Sequence, residues 1–253
     1  MPWDPGQYLK FRKERSLPFD DLFSLIEIRE GLSVVDLGCG TGELTRRLAD
    51  SLPASRVLGI DSSPKMLMHA KEQERPGLSF DYGDIQTVTG QWDLLFSNAA
   101  IQWVDNHDRL IPRLMSLLSP CGQLAVQLPS NHRHPSITMI NESAGEEPFL
   151  TALHGWVRIP PVLEIDSYAR LLYDYGGTDI VVFEKVYCHI LDDADDILEW
   201  TRGTALVPYL ERLPVELHLQ FLQCYREKLW KVWPRGPVFF TFRRIFMAAR
   251  KKK

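Results

Sequence analysis

Residues 35–42 read Val35-Asp36-Leu37-Gly38-Cys39-Gly40-Thr41-Gly42. A short apolar run, residues 32–37, ends directly in this glycine cluster, and residues 43–52 then carry leucine and alanine at helical spacing. Glycines two residues apart let a backbone turn tightly and come close to a ligand, where a Cβ would clash. The helix that follows presents free N–H groups and the positive end of its dipole. The stretch therefore predicts a strand, a ligand-binding loop and a helix.

The same alternation continues after the loop. Four further runs have the apolar pattern of strands, at residues 56–60, 78–82, 92–98 and 122–128. Helical segments are predicted between several of them, and Ser62-Ser63-Pro64 supplies a hydroxyl cap and a first-turn proline for one. Strands alternating with helices of about ten residues indicate βαβ units. We therefore expect an α/β fold with a doubly wound, mostly parallel sheet.

Beyond Pro129 this alternation stops. The pattern predicts a helix over 136–153, a helix over 167–175, a long strand over 179–190, amphipathic helices over 194–206 and 214–230, and a closing strand over 238–249. We interpret 1–253 as a single domain, which comprises an N-terminal lid segment (1–20), a cofactor-binding half (21–130) and a sheet-completing half (131–253) with helical cap insertions at about 131–165 and 193–235.

Composition narrows the functional classes. The chain has 253 residues, of which 29 are Lys or Arg and 33 are Asp or Glu, so its formal net charge is -4. This balance disfavours a dedicated nucleic-acid binder, which needs clustered cations. No apolar run approaches the ~18 residues that span a bilayer, and the first residues lack the order of a signal peptide. We expect a cytoplasmic protein without nucleic-acid or membrane partners.

A metal site is not expected. The four cysteines, Cys39, Cys121, Cys188 and Cys224, form no CxxC pair, and the seven histidines form no HExxH motif. Isolated cysteines of this kind are more often buried apolar groups than disulfide partners.

Acidic and amide residues follow the strands at their carboxyl ends, where open α/β sheets bind ligands. Asp61, after the second strand, is placed to accept hydrogen bonds from both hydroxyls of a ribose. Asp84 follows the third strand and is suited to an adenine amino group, and Asn98 follows the fourth. The position that is glycine in GxGxxG is Glu43, which disfavours both a dinucleotide and a Walker phosphate loop.

These motifs resemble the class I S-adenosylmethionine-dependent methyltransferases. The resemblance is carried by DLGCGTG (36–42), GIDSS (59–63), GD (83–84) and WDLLFSNAAIQW (92–103). Further stretches resemble the trans-aconitate methyltransferase family in particular, namely Trp3-x-Pro5-x-x-Tyr8, Glu14-Arg15-Ser16, AVQLPSN (125–131), Trp200-Thr201-x-Gly203 and FRRIFMAARK (242–251). Residues 131–165 depart most from the family pattern.

The resemblance implies a seven-stranded sheet with an antiparallel last strand and a helical cap. It also implies a cytoplasmic enzyme, a monomer or weak homodimer, that transfers the methyl group of S-adenosylmethionine to a carboxylate oxygen of trans-aconitate. The products would be a monomethyl ester and S-adenosylhomocysteine. A carboxylate is already ionised near neutral pH, so the reaction calls for positioning rather than a catalytic base.

Two sets of site residues follow from the motifs and the resemblance. The expected cofactor contacts are Asp36, Gly38, Cys39, Gly40, Gly42, Asp61, Ser62, Met66, Asp84, Ile85, Asn98 and Trp103. The expected contacts to a small polycarboxylate are Tyr8, Arg15, Gln102, Trp103, His132, Arg133, Tyr173 and Arg202. Among these, Tyr8 and Arg15 form the preferred pair, on a segment that could fold over the site as a lid.

Three alternatives remain open at the level of sequence. One is the same fold acting on another carboxylate, such as a carrier-bound malonyl group. The second is a regulator that binds S-adenosylmethionine without catalysis. The third, a nicotinamide-dependent dehydrogenase, is disfavoured by Glu43 in the glycine motif.

Overall fold

A computed structural model describes residues 12–253 of the chain, with side chains from residue 17 onward. The chain divides into two compact units. The first, the sheet unit, comprises Lys13–Pro129, Pro160–Lys185 and Arg244–Lys253. The second, the helical unit, includes Ser130–Ile159 and Val186–Arg243. Each unit has its own apolar core.

The strands are β1 (Ser33–Leu37), β2 (Arg56–Asp61), β3 (Leu78–Tyr82), β4 (Trp92–Asn98), β5 (Leu118–Pro129), β6 (Gly177–Leu191) and β7 (Val238–Lys251). The described helices are α1 (Arg12–Phe23), α2 (Glu43–Asp50), α3 (Pro64–Ala70), α4 (His107–Ser116), α5 (Pro135–Ala144), α6 (Phe149–Ala152), α7 (Ile165–Asp174), α8 (Ala194–Arg202), α9 (Val207–Arg212) and α10 (Val215–Val232). Short 3-10 turns lie at Lys71–Gln73, Ile101–Trp103 and Asn131–Arg133.

The seven strands form one sheet in the order β3-β2-β1-β4-β5-β7-β6. β1 to β5 pair in parallel, whereas β7 runs antiparallel to β5. The predicted doubly wound, mostly parallel sheet with an antiparallel last strand is thus confirmed. Because β1 to β5 are parallel, their last residues lie along one edge of the sheet, which we call the carboxyl edge.

The sheet unit is buried on both faces, as expected for parallel strands. Val35 and Leu37 of β1 belong to a core that includes residues of α4 and α7. On the opposite face, Phe19 of α1 packs edge-on against Phe96 of β4, with ring centroids 5.6 Å apart. Phe19 is only 3% exposed, so this part of the predicted lid segment is buried in the sheet unit.

The helical unit departs from the helix boundaries expected from sequence. The single helix expected over 136–153 is two helices, α5 and α6. Gly145 and Pro148 lie between them, and a proline has no N–H to continue a helix. The helix expected over 194–206 ends at Arg202, because Gly203 follows as its C-cap, and a separate helix, α9, starts at Val207 with Pro208 in its first turn. The Tyr225 hydroxyl of α10 donates to the Ser136 carbonyl of α5 at 2.8 Å, which ties these helices together.

Among the residues that the structure describes, no helix has both the length and the apolar character needed to cross a membrane. The same residues contain no group of three or more His, Cys, Asp or Glu side chains that could hold a metal ion. The four cysteines are free thiols.

Candidate functional site at the carboxyl edge

The glycine loop has a left-handed backbone at Gly38, Gly40 and Gly42, with φ of 79°, 57° and 79°. A Cβ on Gly38 would lie 2.2 Å from the Cβ of Ala100, and one on Gly42 would lie 2.9 Å from the Cα of Ala70. A Cβ on Gly40 would meet nothing within 4 Å. Packing therefore requires two of these glycines, while Gly40 faces open space, as a ligand-binding position does.

Asp61 fastens this loop to the start of α3. Its Oδ2 accepts the N–H of Gly40 at 2.9 Å, and its Oδ1 accepts the N–H of Ser63 at 2.8 Å. Burial raises the pKa of Asp61, while these two hydrogen bonds lower it in part. A carboxylate oxygen can accept two hydrogen bonds, so each oxygen keeps capacity for a ligand hydroxyl.

Asp36, at the end of β1, is buried with 4% exposure. Its Oδ2 accepts the hydroxyl of Thr45 at 2.6 Å. Burial raises the pKa of Asp36 to about 7, the Thr45 hydrogen bond lowers it, and the charge of Asp61 raises it further. Sequence reasoning missed Thr45. Its signal was a hydroxyl in the first turn of the helix that follows the glycine loop, where that helix faces the strand.

The raised pKa of Asp36 gives a prediction for stability against pH. The folded protein keeps this proton up to about pH 7, whereas the unfolded chain releases it near pH 4. The free energy of unfolding of the wild type, relative to Asp36→Asn, should therefore fall by about 1 kcal/mol per pH unit between roughly pH 5 and 7. Urea unfolding of both proteins at four pH values measures this. Parallel pH curves for the two proteins would contradict it.

The end of β4 is held against the glycine loop by a strained turn. Ala99 has φ of 56°, which is unfavourable for any residue with a Cβ. Its N–H donates to the Gln127 carbonyl at 2.8 Å, and its carbonyl accepts Gln102 Nε2 at 2.7 Å. The turn places Ala100 against Gly38 and leaves Asn98 half-buried beside the loop. Trp103 ends the 3-10 turn that follows, with 37% exposure.

The remaining expected cofactor contacts lie around the same loop. Ile85 is buried, and its Cδ1 lies 3.8 Å from the position of a Cβ on Gly38. Asp84 is exposed, and its Oδ1 accepts the N–H of Gln86 at 2.7 Å. Met66 is buried in the first turns of α3, where Ser63, rather than the exposed Ser62, provides the cap. Burial raises the pKa of the Cys39 thiol.

In the order of the strands in the sheet, the carboxyl edge carries Asp84 after β3, Asp61 at the end of β2, the glycine loop after β1 and Asn98 at the end of β4. Three carboxyl groups, those of Asp36, Asp61 and Asp84, thus surround one backbone loop. This arrangement disfavours a ligand with phosphate groups and favours one with hydroxyl and amino groups.

The structure separates the residues expected to contact the acceptor. Tyr8 and the side chain of Arg15 lie outside the described residues. Gln102 lies at the carboxyl edge, as does Trp103. His132 is half-buried and Arg133 exposed in the helical unit, where Arg202 also lies, 3.6 Å from the carboxylate of Glu199.

Tyr173 is not brought to the carboxyl edge. It is 68% exposed near the end of α7, three residues before Gly176, whose carbonyl accepts the N–H of Lys252. Lys252 follows the end of β7, which runs antiparallel to β5 and therefore finishes at the amino ends of the parallel strands. The antiparallel strand places Tyr173 at the opposite end of the sheet.

Sequence reasoning also missed Gln127 of β5, which is fully buried at the carboxyl edge beside Asn98. The available signal was a glutamine within the apolar run Leu124 to Leu128, since such a residue is rarely buried without a partner.

Comparisons with known proteins bear on this site. A family profile described as "Methyltransferase domain" matches residues 34–122. The trans-aconitate 2-methyltransferase of Deinococcus radiodurans is 46% identical over 257 residues, with 99% of each chain covered. The enzyme of the same name from Variovorax paradoxus is 36% identical, with 100% of this chain and 99% of that protein covered.

Solved structures show the same fold. The YcgJ protein of Bacillus subtilis superposes with a TM-score of 0.60 at 12% identity, and the match covers 94% of this chain and 99% of that one. The phosphoethanolamine N-methyltransferase 2 of Haemonchus contortus, solved with S-adenosyl-L-methionine, superposes with a TM-score of 0.57 at 18% identity. This second match covers 94% of this chain and 53% of that one.

Proposed function

Because this chain belongs to the trans-aconitate 2-methyltransferase family, we propose that it methylates a carboxylate of trans-aconitate with S-adenosylmethionine. The products would be a monomethyl ester and S-adenosylhomocysteine. The observation that carries the proposal is the glycine loop tied to Asp61, with Gly40 facing open space, in a chain 46% identical to such an enzyme over 99% of its length.

The residues at the carboxyl edge fit S-adenosylmethionine. We assign Asp61 to the ribose hydroxyls, because both of its oxygens keep acceptor capacity. Asp84 and Ile85, one strand further out, are assigned to the adenine. Asp36 and Asn98, on the other side of the loop, are assigned to the methionyl amino group. No phosphate has to be held, which agrees with the carboxyl groups around the loop.

S-adenosylmethionine supplies a methyl group on a positively charged sulfur, to which a carboxylate oxygen bonds as the methyl–sulfur bond breaks and its electron pair stays on sulfur. No proton moves, so the protein needs no general base. Its residues align the attacking oxygen with that bond and exclude water, and such alignment contributes roughly 7–11 kcal/mol to related reactions.

The charges of the reaction limit which residues can hold the acceptor. The reacting carboxylate loses its negative charge during transfer, so a strong cation beside it would stabilise the substrate more than the transition state. The other carboxylates keep their charge and need cations or strong donors. We propose that Arg15, Arg133 and Arg202 supply these cations and His132 a donor, with Tyr8, Gln102 and Trp103 as neutral contacts.

The first test is a transfer assay with labelled S-adenosylmethionine and a panel of acceptors. Trans-aconitate should be converted to a base-labile methyl ester, with kcat/KM at least about tenfold above that for small dicarboxylates, since a missing hydrogen-bonded carboxylate costs about 1.5–3 kcal/mol. A carrier-linked malonyl group serves as the competing acceptor. Equal or faster transfer to that group, or no transfer above the blank with trans-aconitate, would contradict the proposed substrate.

We also propose that the protein acts in the cytoplasm as a monomer or weak homodimer, without nucleic-acid or membrane partners. The chain has 33 acidic and 29 basic residues, and this balance supports the absence of a nucleic-acid partner.

A further inference from the structure

Two side-chain amides lie in neighbouring strands at the carboxyl edge. Asn98 of β4 and Gln127 of β5 are Cα partners in the parallel ladder. Gln127 is fully buried, and neither its Oε1 nor its Nε2 has a hydrogen-bond partner in the part of the chain that the structure describes. The Oδ1 of Asn98 is likewise buried without a partner there. Buried amides are normally paired, so this pair is suited to a ligand.

Gln123, on the same strand, shows that the unpaired state of Gln127 is not a general feature of β5. The two side chains are four residues apart and therefore lie on the same face of the sheet. Gln123 is buried with 4% exposure, and both of its amide atoms are bonded to the backbone of Glu27, at 2.7 Å and 2.9 Å. Gln123 thus has a structural role, whereas Gln127 has both amide atoms available.

Position along the sheet limits what can reach Gln127. β5 is three strands from β2, so the end of β5 lies about 14 Å from Asp61. A ribose held by Asp61 does not extend that far, and Asn98 lies between them. The face is shared with Asp36, because Asp36 pairs with Phe96, two residues before Asn98. Asn98 is half-buried, so a ligand would reach the pair from the β4 side.

We propose, on the basis of the proposed function, that Gln127 Nε2 donates a hydrogen bond to a ligand carboxylate bound at the ends of β4 and β5. Two carboxylates can occupy this position, that of the acceptor and that of the methionyl group of the cofactor. A neutral amide suits a reacting carboxylate, because it orients one oxygen without the strong ground-state attraction of an arginine. It suits the methionyl carboxylate equally, with Asn98 Oδ1 free to accept from the adjacent ammonium.

Gln127→Met tests the proposal, with Gln123→Met as the matched control on the same face of the same strand. Methionine keeps the length of the side chain and removes both polar atoms. Without ligand, Q127M should melt at or above the wild-type temperature, because an unpaired buried amide is replaced by an apolar group, whereas Q123M should melt lower, because Glu27 loses two bonds.

Two measurements, the KM for trans-aconitate and the calorimetric affinity for S-adenosylhomocysteine, then distinguish the two sources of the carboxylate. A rise of about tenfold or more in KM for trans-aconitate, with calorimetric affinity for S-adenosylhomocysteine within about twofold, identifies the acceptor carboxylate. A fall of about tenfold in S-adenosylhomocysteine affinity identifies the methionyl carboxylate. Q123M should change neither quantity.

The inference is overturned if Q127M keeps both constants within about twofold of the wild type, or if it melts as low as Q123M. Inactivity of the wild-type protein toward trans-aconitate would instead count against the proposed function. If the wild-type protein is inactive in this way, the S-adenosylhomocysteine titration and the melting comparison test the proposal for Gln127. An S-adenosylhomocysteine affinity of Q127M equal to that of the wild type then overturns the proposal.

Discussion

Replacing Asp61 by alanine is expected to lower the affinity for S-adenosylhomocysteine by about a hundredfold or more, because two hydrogen bonds to a charged acceptor, each contributing about 1.5–3 kcal/mol, are lost. The carboxylate has two tasks in the structure. It holds the N–H of Gly40 and that of Ser63, and it keeps acceptor capacity for the ribose. Alanine removes both, so the glycine loop also loses its connection to the start of α3. Isothermal titration measures the change directly.

Two further variants separate these tasks. Asp61→Asn keeps one acceptor oxygen but turns an amide group toward one of the two backbone N–H donors, so its affinity should fall between that of the wild type and D61A. Asp81→Ala removes an exposed carboxyl near the end of β3 and should bind like the wild type. Wild-type affinity in D61A would refute the ribose assignment. An equal loss in D81A would attribute the effect to overall charge instead.

The sheet and its cofactor loop could be predicted because their signals are local. Each strand from β1 to β4 is a short segment with the apolar pattern of a strand, and the glycines, Asp61 and Ser63 lie at the end of their strands or directly after it. Parallel pairing then brings the strand ends to one edge without further information. Because these signals are local, the predicted doubly wound sheet and the predicted cap on α3 are both confirmed.

Helix boundaries after residue 130 could not be predicted as well, since the apolar periodicity continues through the breaks. Gly145 and Pro148 interrupt the helix expected over 136–153, and Gly203 ends the one expected to reach residue 206. The segments on both sides of each break pack apolar side chains into the same core, so the apolar periodicity continues across the break and does not reveal it. The breakers were visible in the sequence, but a single glycine in a periodic run does not by itself end a helix.

Residues that depend on distant partners were the least predictable. Gln123 and Gln127 have equivalent positions on one strand, and only the backbone of Glu27, 96 residues earlier, distinguishes them. Tyr173 is an aromatic residue of the kind that often lines a pocket, yet the antiparallel β7 places it at the amino ends of the parallel strands. Neither the bonds of Gln123 to Glu27 nor the position of Tyr173 has a signal in the neighbouring sequence, so no sequence pattern could predict these two features.

The glycines of residues 38–42 provide the second large expected effect. Gly38→Ala should remove about 2–5 kcal/mol of the free energy of unfolding, because overpacking costs about 1–3 kcal/mol and a left-handed alanine about 1–2 kcal/mol. Its new Cβ would stand 2.2 Å from that of Ala100. Gly40→Ala should cost only about 1–2 kcal/mol, since a left-handed alanine there meets no neighbour. Urea unfolding measures both losses.

Gly40→Ala should have its larger effect on cofactor binding. A Cβ on Gly40 enters the space that the proposed ligand occupies, so Gly40→Ala should lower the affinity for S-adenosylhomocysteine by about tenfold or more. Gly31→Ala is the matched control, because Gly31 also has a left-handed backbone, with φ of 70°, and also faces open space, but lies before β1. G31A should lose similar stability and bind normally. If G40A and G31A bind equally well, the open space over Gly40 does not hold the cofactor, and the loop shapes the fold alone.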